Sequence, residues 1–169
     1  KENLDAIRAF KGPIKFFGKY LSPLFGAMED TYWMNVYYEY APYPGFPHFS
    51  TNVEEMLWVG GTVSYLCLQL AYYMGLQTVY LVGFDHQYHL PTTTEKEENV
   101  FTFTEEDPNH FHPEYLGKNK RMVDPKLDRM ELAYKKAQEV YKADGRKIIN
   151  ATEGGNLDLF PRVDYNSLF

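Results

Sequence analysis

The sequence predicts an α/β fold in which a mostly parallel sheet is flanked by helices. Strand and helix patterns alternate from residue 33 onward, in the order strand, loop, helix, strand, loop, helix, strand. This alternation favours parallel strands joined by right-handed crossovers. The 169 residues, 44% hydrophobic and 24% charged, have the length and composition of one globular domain. We therefore expect residues 1–169 to form a single domain, or a carboxyl-terminal fragment of a larger one.

Short elements are predicted over the first forty residues. Leu4, Ile7 and Phe10 recur at helical spacing, and Gly12-Pro13 ends that helix. A short strand is expected at residues 14–17, an irregular or short helical segment at 20–30, and an aromatic strand at 33–39. The proline-rich residues 41–47 exclude a helix and predict a rigid loop.

The clearest elements lie further along the chain. Apolar residues at three- and four-residue steps predict helices over residues 60–74 and 124–143. Short apolar runs predict strands at 78–82, which should be buried on both faces, and at 147–150. Residues 87–123 are polar and predict a long functional loop, with one short strand at 100–103.

The composition excludes several classes of protein. The net charge is −6, from 17 basic and 23 acidic residues, so no nucleic-acid partner is expected. The uncharged run 56–84 is interrupted by glycines and tyrosines, and we predict no transmembrane segment. Cys67 is the single cysteine, which rules out an intrachain disulfide, and a buried inert thiol is expected. No secretory signal is recognised, and the expected location is the cytoplasm.

Candidate binding residues stand at the predicted strand ends and at the start of the first long helix. Ligands of α/β sheets bind beyond the carboxyl ends of the strands, and the free N–H groups of a helix start attract phosphate. Asp85 either forms an Asx turn or caps the following loop, or it accepts a hydrogen bond from a ribose or sugar hydroxyl. The Gly-Gly-Thr helix start is either a plain cap or an anion site. The candidates are Gly60, Gly61, Thr62, Ser64, Asp85, His86, Asn150 and Thr152.

The polar segment 87–123 contains a pair of histidines with chemical potential. In an extended segment His110 and His112 point to the same side. One of them could perform acid–base chemistry or contact a substrate. The pair could instead bind a metal with Asp85 or His86, or the segment could be a solvated loop.

Two tyrosines in the same segment are further candidates. Tyr88 and Tyr115 could donate hydroxyls to phosphate oxygens, and packing of their rings is the alternative. The basic patch of Lys118, Lys120 and Arg121 is either solvated or attracts an anionic substrate. The sequence has no Gly-x-Ser-x-Gly elbow, Walker A loop or Gly-x-Gly-x-x-Gly fingerprint.

Several segments together resemble one protein family. They are similar to the Rossmann-like family that includes motility-associated flagellin-modification proteins and 6-hydroxymethylpterin diphosphokinase-like proteins. That family is distantly similar to the bacterial sialyltransferases of glycosyltransferase family 42. The resemblance implies a Rossmann-like fold over most of residues 60–169. The segments that carry it are residues 60–65, 68–75, 79–86, 107–111, 145–152 and 160–164.

The likeness to the sialyltransferases implies roles for individual residues. It places Gly61, Thr62, Asp85 and Tyr88 on the nucleotide side, and it makes His110 or His112 the general base that deprotonates the acceptor hydroxyl. It implies no metal. This sequence departs from the pattern at His86, which replaces an aromatic residue, and at Tyr88, which is shifted by one position. Residues 115–124 align only with a gap, which leaves Lys118 in place of the base as an alternative.

Three functions of different classes follow. The first is an inverting, metal-independent glycosyltransferase without a cofactor, whose partners are a nucleotide-sugar donor and a glycan or protein acceptor. The second is a Mg²⁺-dependent diphosphokinase that transfers pyrophosphate from ATP to a pterin alcohol. The third is a non-catalytic module that binds a glycan or a protein. A Gly-Asn-Gly-Pro-Ser-type loop of the relatives is absent, so the chain is either truncated or lacks that half of the site. Homo-oligomerisation stays open.

Overall fold

The computed structural model describes residues 3–87, 95–102 and 121–169. The chain divides into two compact units. The first unit comprises Lys1–Val79 and Glu131–Ile148, and the second comprises Tyr80–Met130 and Ile149–Phe169. Each unit is described by itself below.

The amino-terminal part of the first unit is built from short elements, as predicted. Strand β1 pairs in parallel with β2, and β3 pairs in parallel with β4. The predicted strand at 33–39 is divided at Asn35, whose backbone oxygen accepts from Leu57 N and whose side chain donates to Glu55 O. The elements are α1 (Leu4–Ala9), β1 (Lys15–Gly18), a 3₁₀ turn (Lys19–Leu21), α2 (Ser22–Phe25), β2 (Thr31–Met34), β3 (Val36–Tyr37) and β4 (Leu57–Trp58).

Both long helices are present but begin later than their patterns predict. Helix α3 (Val63–Tyr73) begins at residue 63 because Gly60 and Gly61 adopt positive φ angles of 56° and 86°. Helix α4 (Leu127–Ala143) begins at residue 127 because Lys126, with φ of 50°, interrupts helical geometry. Most of the apolar residues that predict α4 are buried, and the other two, Leu127 and Val140, are half-buried. The buried residues are Met130, Ala133, Tyr134, Ala137 and Tyr141.

The core of the first unit combines apolar packing with buried hydrogen bonds. Tyr65, Leu68 and Tyr141 are almost completely buried, and the Tyr141 hydroxyl donates to Leu68 O at 2.7 Å. Burial raises the pKa of Tyr141 to about 12, so this hydroxyl stays protonated and can donate. Cys67 is exposed, which corrects the predicted buried thiol: α3 directs residues 65, 68 and 69 inward and leaves residue 67 outside.

Strands β5 (Thr78–Leu81) and β9 (Lys147–Asn150) form a further pair. Lys147 N donates to Gln77 O, and Ala151 N donates to Leu81 O. Residue numbers therefore rise in the same direction along both strands, which makes the pair parallel. Tyr80 is 47% exposed and Val82 is 55% exposed. The prediction that this strand is buried on both faces is therefore wrong.

The segment predicted as a long loop contains regular structure. Strands β6 (Glu95–Glu97), β7 (Val100–Thr102) and β8 (Arg121–Val123) form an antiparallel sheet in the order β6-β7-β8. The predicted strand at 100–103 corresponds to β7, and the other two strands correct the loop prediction. Strand β6 could not be predicted from the sequence, because its three charged residues show no alternation of apolar and polar positions.

The described residues therefore form an α/β fold with small parallel sheets. Their strands pair into four separate sheets, of which the β6-β7-β8 sheet is antiparallel. Within the described ranges, the helices are too short or too polar to cross a membrane.

Candidate functional site

A cleft lies at the carboxyl ends of β5 and β9, where the sequence predicts ligand binding. Its volume is about 720 Å³, within the range of small-molecule sites. All of its walls belong to the second unit. The lining residues are Val82, Gly83, Ala151, Thr152, Glu153, Val163, Asp164, Tyr165 and Asn166.

Arg162 organises the loop that forms one wall of this cleft. Its guanidinium donates to the backbone oxygens of Gly154 at 2.7 Å and Gly155 at 3.0 Å. Longer contacts reach Thr152 O and Leu157 O, and Nε donates to Asp158 Oδ1 at 2.9 Å. One planar cation thus holds five acceptors of residues 152–158, a geometry that a lysine cannot reproduce.

Asp85 lies against the same loop through its main chain. Asn156 N donates to Asp85 O at 2.7 Å. A Cβ atom on Gly155 would lie 2.5 Å from Asp85 Cα and from Asp85 O. Gly155 also has φ of 75°, so a glycine is required here both by space and by backbone conformation. This close contact fixes the backbone position of Asp85 beyond the end of β5.

The side chains of two predicted binding residues form hydrogen bonds within the protein near the ends of β5 and β9. Asn150 is completely buried, its Nδ2 donates to Leu157 O at 2.9 Å, and its Oδ1 accepts from Thr152 N. The hydroxyl of Thr152 accepts from Phe84 N at 2.9 Å. These contacts give both side chains a structural role, while Thr152 also lines the cleft.

The polar lining of the cleft is acidic. Glu153 and Asp164 supply two carboxylates, and the described residues that line the cleft include neither lysine nor arginine. Asp164 Oδ1 accepts from Asn166 N at 2.9 Å, which orients that carboxylate at the start of the 3₁₀ turn Tyr165–Leu168. Carboxylates accept hydrogen bonds from hydroxyls, whereas phosphates are usually bound by cations or N–H donors. The described lining can therefore accept hydrogen bonds from the hydroxyl groups of a ligand.

The predicted phosphate-binding helix start belongs to the first unit. Thr62 caps α3, since its Oγ1 accepts from Ser64 N at 3.3 Å, and Thr62 O accepts from Tyr65 N. A Cβ atom on Gly60 would lie 2.2 Å from the Tyr65 ring, so that glycine is required by packing. These contacts suit a capped helix, and the phosphate role of Gly60, Gly61, Thr62 and Ser64 stays a prediction.

The other predicted residues have less structural evidence. His86 lies beyond β5 with φ of 51°, a conformation uncommon for residues other than glycine. Tyr88, His110, His112 and Tyr115 lie outside the described residues. In the part of the chain that is described, no three His, Cys, Asp or Glu side chains are grouped to hold a metal ion.

Arg162 and Gln69 have no predicted role, although Arg162 holds the loop at the cleft and Gln69 bonds to Ser50, Trp58 and Tyr65. Arg162 follows a glycine-rich loop and stands four residues after Asp158, a spacing that could have drawn attention to it. Gln69 is an uncharged polar residue within the apolar pattern of α3. A buried amide needs several hydrogen-bond partners, so its position in that pattern could have indicated a structural role.

No family model, curated protein or solved structure matches this chain. Fold and cleft together define an α/β protein with a cleft at the end of a parallel strand pair.

Proposed function

We propose that this chain is a Rossmann-like domain of an inverting, metal-independent glycosyltransferase that uses a nucleotide-sugar donor. The acceptor is a hydroxyl group of a glycan or of a modified protein. The observation that carries this proposal is the 720 Å³ cleft at the carboxyl ends of the parallel strands β5 and β9. This is the position at which α/β sheets bind nucleotides.

The lining of the cleft supports a sugar or ribose ligand. Glu153 and Asp164 can accept hydrogen bonds from sugar hydroxyls, and Asn166 can both donate and accept. Val82 and Val163 provide apolar surface for the carbon face of the ring. A phosphate would find no lysine or arginine among these lining residues, so the cleft is assigned to the hydroxyl-bearing part of the donor.

The catalytic step assigned to this domain is a single displacement. His110 or His112 takes the proton of the acceptor hydroxyl, and the acceptor oxygen forms a bond to the anomeric carbon. The bond between that carbon and the phosphate oxygen breaks, and its electron pair leaves with the nucleotide. This assignment of the base comes from the sequence and from the family resemblance.

The proposal is tested by a thermal-shift panel on the chain with CMP, CDP, UDP, GDP and ATP, each with Mg²⁺ and with EDTA. We expect stabilisation by CMP that is unchanged by EDTA, because a ligand that binds only the folded state raises its stability. Stabilisation by ATP only when Mg²⁺ is present would favour the diphosphokinase. Absence of any shift would contradict nucleotide binding and favour the non-catalytic module.

A further inference from the structure

A second polar cluster lies in the first unit, formed by Glu39, His48 and Trp58. His48 Nδ1 lies 2.5 Å from Glu39 Oε1, and both Glu39 oxygens accept from His48 N at 3.2 Å. The Glu39 side chain is only 5% exposed, whereas the His48 side chain is 59% exposed. A buried carboxylate thus holds one edge of an imidazole whose side chain is more than half exposed.

Two further contacts fix the position of this histidine. Its ring stacks on Trp58, with centroids 4.8 Å apart and an interplanar angle of 28°. Its backbone oxygen accepts from the Tyr65 hydroxyl at 2.8 Å. Burial, with smaller contributions from the charges of Glu39 and Glu139, raises the pKa of Tyr65, so this hydroxyl remains a donor. An exposed side chain held in this way has already lost most of its rotamer freedom.

The hydrogen bond to Glu39 determines the chemistry of the exposed edge. A neutral imidazole that donates from Nδ1 to a carboxylate carries its lone pair on Nε2. Because Nδ1 is directed at the buried carboxylate, Nε2 lies on the edge of the ring that this carboxylate does not hold. A carboxylate that orients a histidine in one tautomer is a recurrent arrangement for proton transfer from a hydroxyl group.

The surroundings indicate what kind of molecule this nitrogen would meet. Tyr37 packs beside Trp58 at 5.8 Å between ring centroids and is 48% exposed. Aromatic faces accept the carbon face of a sugar ring, while its hydroxyls seek acceptors such as Nε2. The carboxylates of Glu39 and Glu139 make the vicinity of Tyr65 negative, which disfavours an anionic ligand.

We propose that this cluster is a binding site for a neutral glycan, with His48 Nε2 accepting the hydrogen of one of its hydroxyls and Glu39 acting as the positioning residue. This inference rests on the proposed function in one respect: it assigns the bound glycan as the acceptor of the transferase. It specifies that this acceptor is a neutral glycan. Binding itself is measured separately from nucleotide recognition, so the two proposals can fail separately.

The first test is the tautomer of His48, read from long-range ¹⁵N–¹H NMR correlations of the folded chain at neutral pH. We expect Nδ1–H in the wild type and a mixture of tautomers in Glu39→Gln, because the neutral amide no longer favours one tautomer as strongly. Glu29→Gln, which changes an exposed carboxylate paired with Lys11, should leave the signals unchanged. An Nε2–H tautomer in the wild type would overturn the proposal.

The second test is a titration with lactose, cellobiose and diacetylchitobiose, followed at the His48 ring signals. At least one sugar should give a saturable shift, and His48→Asn should weaken it about tenfold, the value of one lost hydrogen bond. Asparagine retains an N–H group for Glu39 but has no atom in place of Nε2. Lactobionate, which carries a carboxylate, should bind more weakly than lactose.

The titration also has outcomes that overturn the proposal. The proposal is contradicted if no sugar shifts the His48 signals at concentrations up to about 50 mM, which would put any affinity beyond the millimolar range. It is also contradicted if His48→Asn binds the sugar as tightly as the wild type does. If the glycan binds as expected while the nucleotide panel shows no stabilisation, the proposed transferase function fails and this binding site stands.

Discussion

Gln69 shows how much of this fold can depend on one polar residue. Its Oε1 accepts from Ser50 N at 2.9 Å and from Trp58 N at 3.1 Å, and its Nε2 donates to Trp58 O and Tyr65 O. The side chain is completely buried. A fully satisfied buried amide specifies a single arrangement of the groups around it, because any displacement leaves several of them unpaired. Gln69 therefore holds the chain around residue 50 and the strand β4 against α3.

Replacing Gln69 by leucine should destabilise the first unit strongly. The substitution leaves Ser50 N, Trp58 N and Trp58 O without this partner, and we expect a loss of about 3 kcal/mol in the free energy of unfolding. Urea denaturation followed by tryptophan fluorescence measures this loss. The control is Gln77→Leu, whose exposed side chain donates to Gly75 O, and which should change stability by less than about 0.5 kcal/mol. Equal effects of the two substitutions would contradict the role of Gln69.

At the scale of single residues, the sequence predicted where the candidate residues lie better than what their side chains do. Asn150 and Thr152 are candidates because they stand at the end of a strand, and the structure places Thr152 in the wall of the cleft. Their side chains, however, also bond to Leu157 and Phe84. The contact with Phe84 joins residues 68 positions apart, and such partners are set by tertiary packing, which periodicity does not describe.

Among the larger elements, the loop 152–158 illustrates an irregular segment made rigid by one cation. Arg162 donates to five acceptors of this glycine-rich loop at once. Gly155 then packs against Asp85 with no space for a side chain. A preformed wall of this kind lowers the entropy cost of ligand binding.

Arg162→Lys should loosen this loop without unfolding the chain. Lysine cannot reach acceptors on several sides with one planar group, so the hydrogen bond from Asn156 N to Asp85 O should open more often. We expect hydrogen exchange of the Asn156 amide to become about tenfold faster. Asp158→Asn removes an exposed ion-pair partner and should change that rate by less than about twofold. Unchanged exchange in Arg162→Lys would refute the role of Arg162.

The elements also differ in how well the sequence predicted them. Helix α4 and strand β9 followed from their apolar patterns, because both bury a regular set of side chains. Strand β4 has two residues and strand β6 is formed by charged residues, so neither carries a local signal. The start of α3 was predicted three residues too early, because its two positive φ angles are imposed at Gly60 and Gly61.

For the whole molecule, the central claim is that the second unit binds the hydroxyl-bearing part of a nucleotide sugar in its cleft. The α/β class of the fold was predicted from the alternation of elements, and small parallel sheets bear it out. The location of a cleft at the strand ends was predicted from the same alternation. The acidic lining of the cleft was not predicted, because only folding brings Glu153 and Asp164 to the same cleft.

The most direct test of this claim is hydrogen–deuterium exchange of the chain with and without CMP, in EDTA. Binding of its ribose in the cleft predicts slower exchange in residues 82–86 and 151–166, because the bound ribose covers these amides and restricts their opening. Glu153→Gln should reduce the protection, whereas Glu131→Gln, at an exposed position of α4, should leave it unchanged. Protection confined to other segments, or none at all, would contradict the claim.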